Sequence, residues 1–174
     1  MAFTENTSEL LDQDTQSIFA DYDKLGVDDK LALLYGIYEA MGESITPAAP
    51  TAADPNLAPV LLGNFYQLSP EQQLDVMRQI VASEDSEYSR AYGGLTANNQ
   101  LLVWFGWAQA MGNTVVDMPA NYQPAQTLNK VVNNIAALDF QKQISLLREI
   151  AQKMGYSEVK PIPTQAETGK TSSL

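Results

Sequence analysis

The sequence predicts an all-α protein, and three observations carry that expectation. First, apolar residues recur three and four positions apart and so line one side of a helix: Leu31, Leu34, Tyr35 and Tyr38; Leu101, Trp104, Phe105 and Ala108; Ile144, Leu147 and Ala151. Second, strand alternation is missing, and runs of β-branched residues are as short as Val115-Val116 and Val131-Val132. Third, a helix-opening motif recurs: LGVDDKL from Leu25, LSPEQQL from Leu68, LTANNQL from Leu95 and LDFQKQI from Leu138. Three of these copies end in Met-Gly, at Gly42, Gly112 and Gly155, with the Met sixteen positions after the opening Leu. Forty-three residues separate Leu25 from Leu68 and again Leu95 from Leu138, so the chain reads as two halves related by a pseudo-twofold repeat.

In chain order, the pattern places a first helix over Glu9 to Phe19 and a second from Leu25 to a left-handed glycine at Gly42. Prolines 47, 50 and 55 make the stretch from Thr46 to Pro59 a non-helical crossover. A helix over Ala58 to Gln67 follows. The next opens at Ser69-Pro70-Glu71, a capping hydroxyl, a first-turn proline and an acid near the positive end of the helix dipole. A short helix spans Ser86 to Tyr92, and the copy opened by Leu95 runs to Gly112. A turn region covers Gly112 to Pro124, before helices over Thr127 to Ala137 and from Leu138 to Gly155. The Pro-, Thr-, Ser- and Gly-rich end from Lys160 is expected to be a flexible tail, leaving residues 1–159 as one domain and 160–174 outside it.

Composition narrows the function. The 174 residues are 45% hydrophobic, enough for one well-buried domain. Cysteine and histidine are both absent, which removes thiolate nucleophiles, disulfides, imidazole bases and nearly all zinc, copper and haem ligands. Acid–base work by carboxylates alone needs paired acids in an apolar cleft, and the acids here fall at helix starts or on polar faces, so no enzyme is expected. The net charge is −11 with no Lys/Arg cluster, which disfavours nucleic acid and anionic lipid as partners. No apolar run reaches eighteen residues and the N-terminus lacks a signal-peptide pattern, so stable membrane insertion is not expected and a cytoplasmic protein is.

Both tryptophans and a phenylalanine crowd the segment Leu101 to Trp107, facing small residues and Met111. Such a segment makes either a dense core or a flat-walled slot. The string DKLALLYGIYEAMGESITPAAP from Asp29 to Pro50, the Trp104 helix, the Met118-Pro119-x-x-Tyr122 turn and QISLLR from Gln143 to Arg148 together resemble the carotenoid-binding N-terminal domain of the orange carotenoid proteins. The likeness runs from about Phe3 to Ser157 and is greatest to the stand-alone helical carotenoid proteins of cyanobacteria.

That resemblance implies two interleaved four-helix halves with a keto-carotenoid, canthaxanthin or echinenone, passing between them. On matching positions Tyr38 and Trp104 flank one end of the polyene. Leu31, Leu101, Met77, Met111 and Met154 line the channel, and Met118, Pro119 and Tyr122 close it from the turn. Flat aromatic faces and adaptable thioethers suit a conjugated apolar rod. At Tyr35 the family usually has Trp, at Phe105 Tyr, at Ala108 Gly and at Pro47 an aliphatic residue; these four positions bear on how the pigment's ring end packs. Arg148 matches an arginine of the family's partner-binding surface. The implied function is photoprotection by quenching singlet oxygen. Its alternatives are quenching of phycobilisome excitation, delivery of pigment to a separate C-terminal-domain-like carrier, and a colourless helical adaptor. A position near thylakoid membranes would suit the antenna role.

Overall fold

The computed structural model describes residues 13–45 and 58–157, with side chains described through residue 40 of the first stretch. Helix α1 spans Gln13–Asp23, α2 Val27–Ile45 and α3 Pro59–Leu62, followed by a 3-10 turn over Asn64–Gln67. Then come α4 (Pro70–Val81), α5 (Glu87–Gly93), α6 (Ala97–Gln109), α7 (Gln126–Ala136) and α8 (Phe140–Gln152). Among the described residues the only extended pairing is an isolated bridge between Met111 and Val115, and the fold is all-α. No described helix is long and apolar enough to cross a membrane.

The repeated openings are helix starts. Ser69 accepts from the Gln72 amide while the Gln72 side chain accepts from the Ser69 amide, a capping box ahead of Pro70. Thr96 and Asp139 cap α6 and α8 in the same register, accepting from the Asn99 and Lys142 amides. Five residues after each opening Leu sits a buried glutamine whose amide reaches back to the preceding element. Gln73 donates to the Phe65 carbonyl, Gln100 to that of Tyr92 and Gln143 to that of Ile135, at 3.3, 3.1 and 3.2 Å. In the first copy the place is held by Lys30, whose ammonium lies 5.2 Å from the centre of the Tyr22 ring.

Three expectations need correction. Helix α1 continues past Phe19 to Asp23. Gly42 does not end α2, which runs on to Ile45; a glycine inside a helix costs only about 1 kcal/mol, and the next proline is Pro47. Ala58 to Gln67 is not one helix: the chain breaks at Gly63, where a β-carbon would lie 2.6 Å from the Pro59 carbonyl oxygen. Gly112 and Gly155 are left-handed as expected, with φ of 82° and 83°. The crossover from Thr46 falls outside the described residues up to Leu57, as does the proposed tail.

The first two helices pack on the last three. Helix α2 lies against α7, α4 and α6; α6 lies along α8; α1 covers α7 and α8; and α5 joins α3 to α4. Trp107, Tyr22, Tyr92 and Phe65 are the largest fully buried side chains. Trp107 donates its indole N–H to the Leu61 carbonyl at 3.1 Å and stacks on Phe65 at 4.2 Å, so its ring area is buried without an orphaned donor.

Candidate functional site: an apolar groove

A cavity of about 290 Å³ lies where α2, α6 and α8 meet. Leu34, Ile37 and Tyr38 line it from α2, Ile144 and Leu147 from α8, and Asn98, Leu101, Leu102, Trp104 and Phe105 from α6. The lining follows from helical spacing. Leu34 and Tyr38 are four apart and share one side of α2, while Leu31 and Tyr35 share the next. The latter pair is buried against other partners: the Tyr35 hydroxyl lies 3.2 Å from both the Met77 sulfur and the Val116 carbonyl.

Aromatic rings shape the groove. Tyr38 meets Phe105 edge to face, with centroids 4.9 Å apart and planes at 68°. Trp104, only 3% exposed, forms the inner wall. Its indole N–H points away from the groove and donates to the Tyr92 hydroxyl at 3.0 Å, which in turn donates to the Ala151 carbonyl at 2.8 Å. Its ring stands at 88° to Trp107, with centroids 5.2 Å apart. Burial pushes the Tyr92 phenol well above its ordinary range, against the opposing effect of the Trp104 hydrogen bond, so the hydroxyl stays neutral.

Among the described residues no carboxylate, ammonium or guanidinium lines the groove; the Asn98 amide and the Tyr38 phenol are the polar side-chain groups there. Among the described residues no cluster of carboxylates could hold a metal ion. An apolar slot with flat walls and few polar groups suits an apolar, planar ligand.

The remaining site residues expected from the sequence lie elsewhere. Leu31 and Met77 are fully buried, and Ala108 and Met154 nearly so, all outside the groove lining. Met111 is half-buried at the bridge to Val115. Met118, Pro119 and Tyr122 form a turn at the start of α2, closed by the Tyr122 amide on the Pro119 carbonyl at 3.0 Å. The Tyr122 hydroxyl donates to Asp29, beside the two-pronged pair of Arg78 with Asp28 at 2.8 and 3.0 Å. Pro119 and Tyr122 line a separate, polar depression there. Arg148 is exposed, one residue beyond Leu147. Pro47 lies outside the described residues. Thus the structure gathers Tyr38, Leu101, Trp104 and Phe105 into one groove and leaves the others apart. It also adds wall residues that periodicity had marked as a buried stripe (Leu34, Ile144, Leu147) and three it had not singled out (Ile37, Asn98, Leu102).

The family described as "Orange carotenoid protein, N-terminal" matches residues 8–157. An orange carotenoid-binding domain-containing protein of Nostoc sp. (strain PCC 7120) is 38% identical over 135 residues, 77% of this chain and 79% of that protein. The orange carotenoid-binding protein of Synechocystis sp. is 32% identical over 139 residues, 79% of this chain and 44% of that protein. Among solved structures, the Red Carotenoid Protein of Anabaena (Nostoc) binding canthaxanthin superposes with a TM-score of 0.70 at 33% identity, covering 82% of this chain and 99% of that one. The chain therefore spans most of the Nostoc relative and less than half of the Synechocystis one.

Proposed function

Because the chain belongs to the orange carotenoid protein N-terminal family, we propose that it binds a keto-carotenoid such as canthaxanthin or echinenone in the α2–α6–α8 groove and protects by quenching singlet oxygen. The observation that carries this reading is the groove itself, apolar and walled by Tyr38, Phe105 and Trp104, with no charged group among the described residues of its lining. A bound polyene would supply a low-lying triplet state that takes up the energy of singlet oxygen and releases it as heat. The chain's residues need perform no proton transfer. Leu34, Leu101 and Leu147 exclude water, the aromatic rings hold a flat ligand in one plane, and Asn98 offers an amide to a ring carbonyl. Of the positions carried over from the family, we propose Tyr38, Leu101, Trp104 and Phe105 as direct contacts. Leu31, Tyr35, Met77, Ala108, Met111 and Met154 would act on the ligand through the packing behind that wall. Pro47 and the turn of Met118, Pro119 and Tyr122 are proposed as contacts at a ring end.

Protein produced in a host that makes keto-carotenoids is expected to purify coloured and to quench singlet oxygen far faster than the apoprotein. A folded but colourless product, or equal rates, would sink the reading. Replacing Trp104 by Ala is expected to lower pigment occupancy at least tenfold, measured as the ratio of visible to ultraviolet absorbance.

The size of the groove favours one further role. About 290 Å³ is at the low end for small-molecule sites, roughly 300–1,000 Å³, so an elongated pigment would be gripped at one end. That suits a carrier able to pass its load to a C-terminal-domain-like partner. Mixing holoprotein with such an apo partner and separating the two by size would show whether colour moves. A phycobilisome-directed role has the exposed Arg148 in its favour and a net charge of −11 against it, and ranks behind.

A further inference from the structure

Tyr92 lies outside the groove lining, on α5, yet its hydroxyl bonds the indole that forms the groove's inner wall. The group is fully buried and both of its hydrogen-bonding roles are assigned by its neighbours. The Ala151 carbonyl only accepts, so the Tyr92 proton must point there, 2.8 Å away. The indole N–H of Trp104 only donates, so it takes a remaining lone pair at 3.0 Å. The phenol ring is held as tightly as its oxygen. Gly155 packs directly on it, where a β-carbon would lie 2.5 Å from Tyr92 Cδ1, and left-handed Gly155 is itself tied by its amide to the Ile80 carbonyl at 2.8 Å. The oxygen carried by α5 is thus held by α8 on one side and by the wall of the ligand site on the other, while Gly155, tied to α4, holds the ring.

We infer that Tyr92 is a positioning residue: by holding the indole of Trp104 it sets the angle between that aromatic wall and a bound polyene, and so tunes the pigment's absorption. This rests on the carotenoid-binding reading above. The physical ground is that a buried indole N–H seeks a partner. With the Tyr92 oxygen gone, no other bond of that N–H holds the ring in place. The indole then gains by turning toward the groove, where a ligand carbonyl can accept from it. A changed wall angle alters the shape and polarisability of the site next to the conjugated system.

The test compares holoproteins carrying Tyr92→Phe, Trp104→Phe and both substitutions. Tyr92→Phe keeps the ring and removes only the oxygen. The expected result is a displaced or broadened visible band in Tyr92→Phe, with that displacement falling to less than about one-fifth in the Trp104→Phe background. The same displacement in both backgrounds, or none in either, overturns the inference, because a generally loosened core would act without Trp104. If the wild-type protein takes up no pigment, the carotenoid reading fails on its own, and the inference is then judged in apoprotein. There the hydrogen-bond-sensitive indole band in the ultraviolet Raman difference between wild type and Trp104→Phe must report a bonded N–H that Tyr92→Phe releases. An unchanged band overturns it. Should Tyr92→Phe not fold, the wild-type difference spectrum decides, a free indole overturning the inference and a bonded one upholding it.

Discussion

Gln73 shows how much one buried side chain can organise. Its amide nitrogen bonds the Phe65 and Thr114 carbonyls and its oxygen accepts from the Val116 amide at 2.8 Å, so a single residue ties α4 to the loop beyond α6. Gln73→Ala strands those groups in the interior and is expected to cost about 1–3 kcal/mol, read as a lower urea midpoint. Glu149 is the opposite case. It is buried on α8 with one carboxylate oxygen lacking a partner, and burial raises its pKa, only partly offset by Lys153. The folded state then holds that proton more tightly than the unfolded one, so this residue's contribution falls as pH rises through the interval above about 4.3. Glu149→Gln is expected to be more stable than wild type at pH 7 and to lose that advantage near pH 4, checked by denaturation at both. Such roles were hard to read from the sequence. Each glutamine follows its opening Leu by five positions, but its use depends on a carbonyl eight residues back, which only the turn brings close. The four groove residues Tyr38, Leu101, Trp104 and Phe105 were legible because the family motif names them. Leu34 and Leu147 were legible only as covered positions, since periodicity shows which side of a helix is hidden and not whether a neighbour or a ligand hides it.

Helix starts were legible and helix ends less so. A start needs a side-chain acceptor at one position, and Ser69, Thr96 and Asp139 each supply it to the amide three residues on. Ser69→Ala is expected to lose about 1 kcal/mol by removing half of the capping box, with the loss visible as a melting point lowered by a few degrees. An end is set by what the chain packs on next. Gly155 ends its segment because it must lie against Tyr92, whereas Gly42, with the same Met before it, is passed through by α2. The break at Gly63 was missed for a related reason: the glycine is required by a backbone oxygen four residues back, and composition alone does not show that contact. A similar closeness holds Gly93, where a β-carbon would stand 2.2 Å from the Tyr156 carbonyl oxygen. Gly93→Ala is expected to push the closing turn away and destabilise by about 1–3 kcal/mol in chemical denaturation.

At the scale of the whole molecule, charge and burial pull in different directions. A net charge of −11 on 174 residues makes self-repulsion a general tax on the compact state. Stability is therefore expected to rise between about 0.01 and 0.15 M salt, as the screening length shrinks from roughly 30 to 8 Å. A second limit lies at high pH. The phenols of Tyr22, Tyr35 and Tyr92 are pushed above their ordinary range, chiefly by burial, so the folded state keeps protons that the unfolded state gives up from about pH 10. The protein is expected to lose stability steadily above that point and to gain nothing from these groups at neutrality; Tyr35→Phe should lessen the slope, measured as urea midpoint against pH. The all-helical architecture was readable from spacing, caps and the repeat, while the meeting of α2, α6 and α8 depends on how α2 packs against α6, which in turn lies along α8. Among the described residues that meeting place carries no fixed charge, although the chain as a whole is heavily anionic. A chromophore seated there would keep one hue from mildly acidic to mildly alkaline medium, acting as a constant filter and not as an indicator of its surroundings.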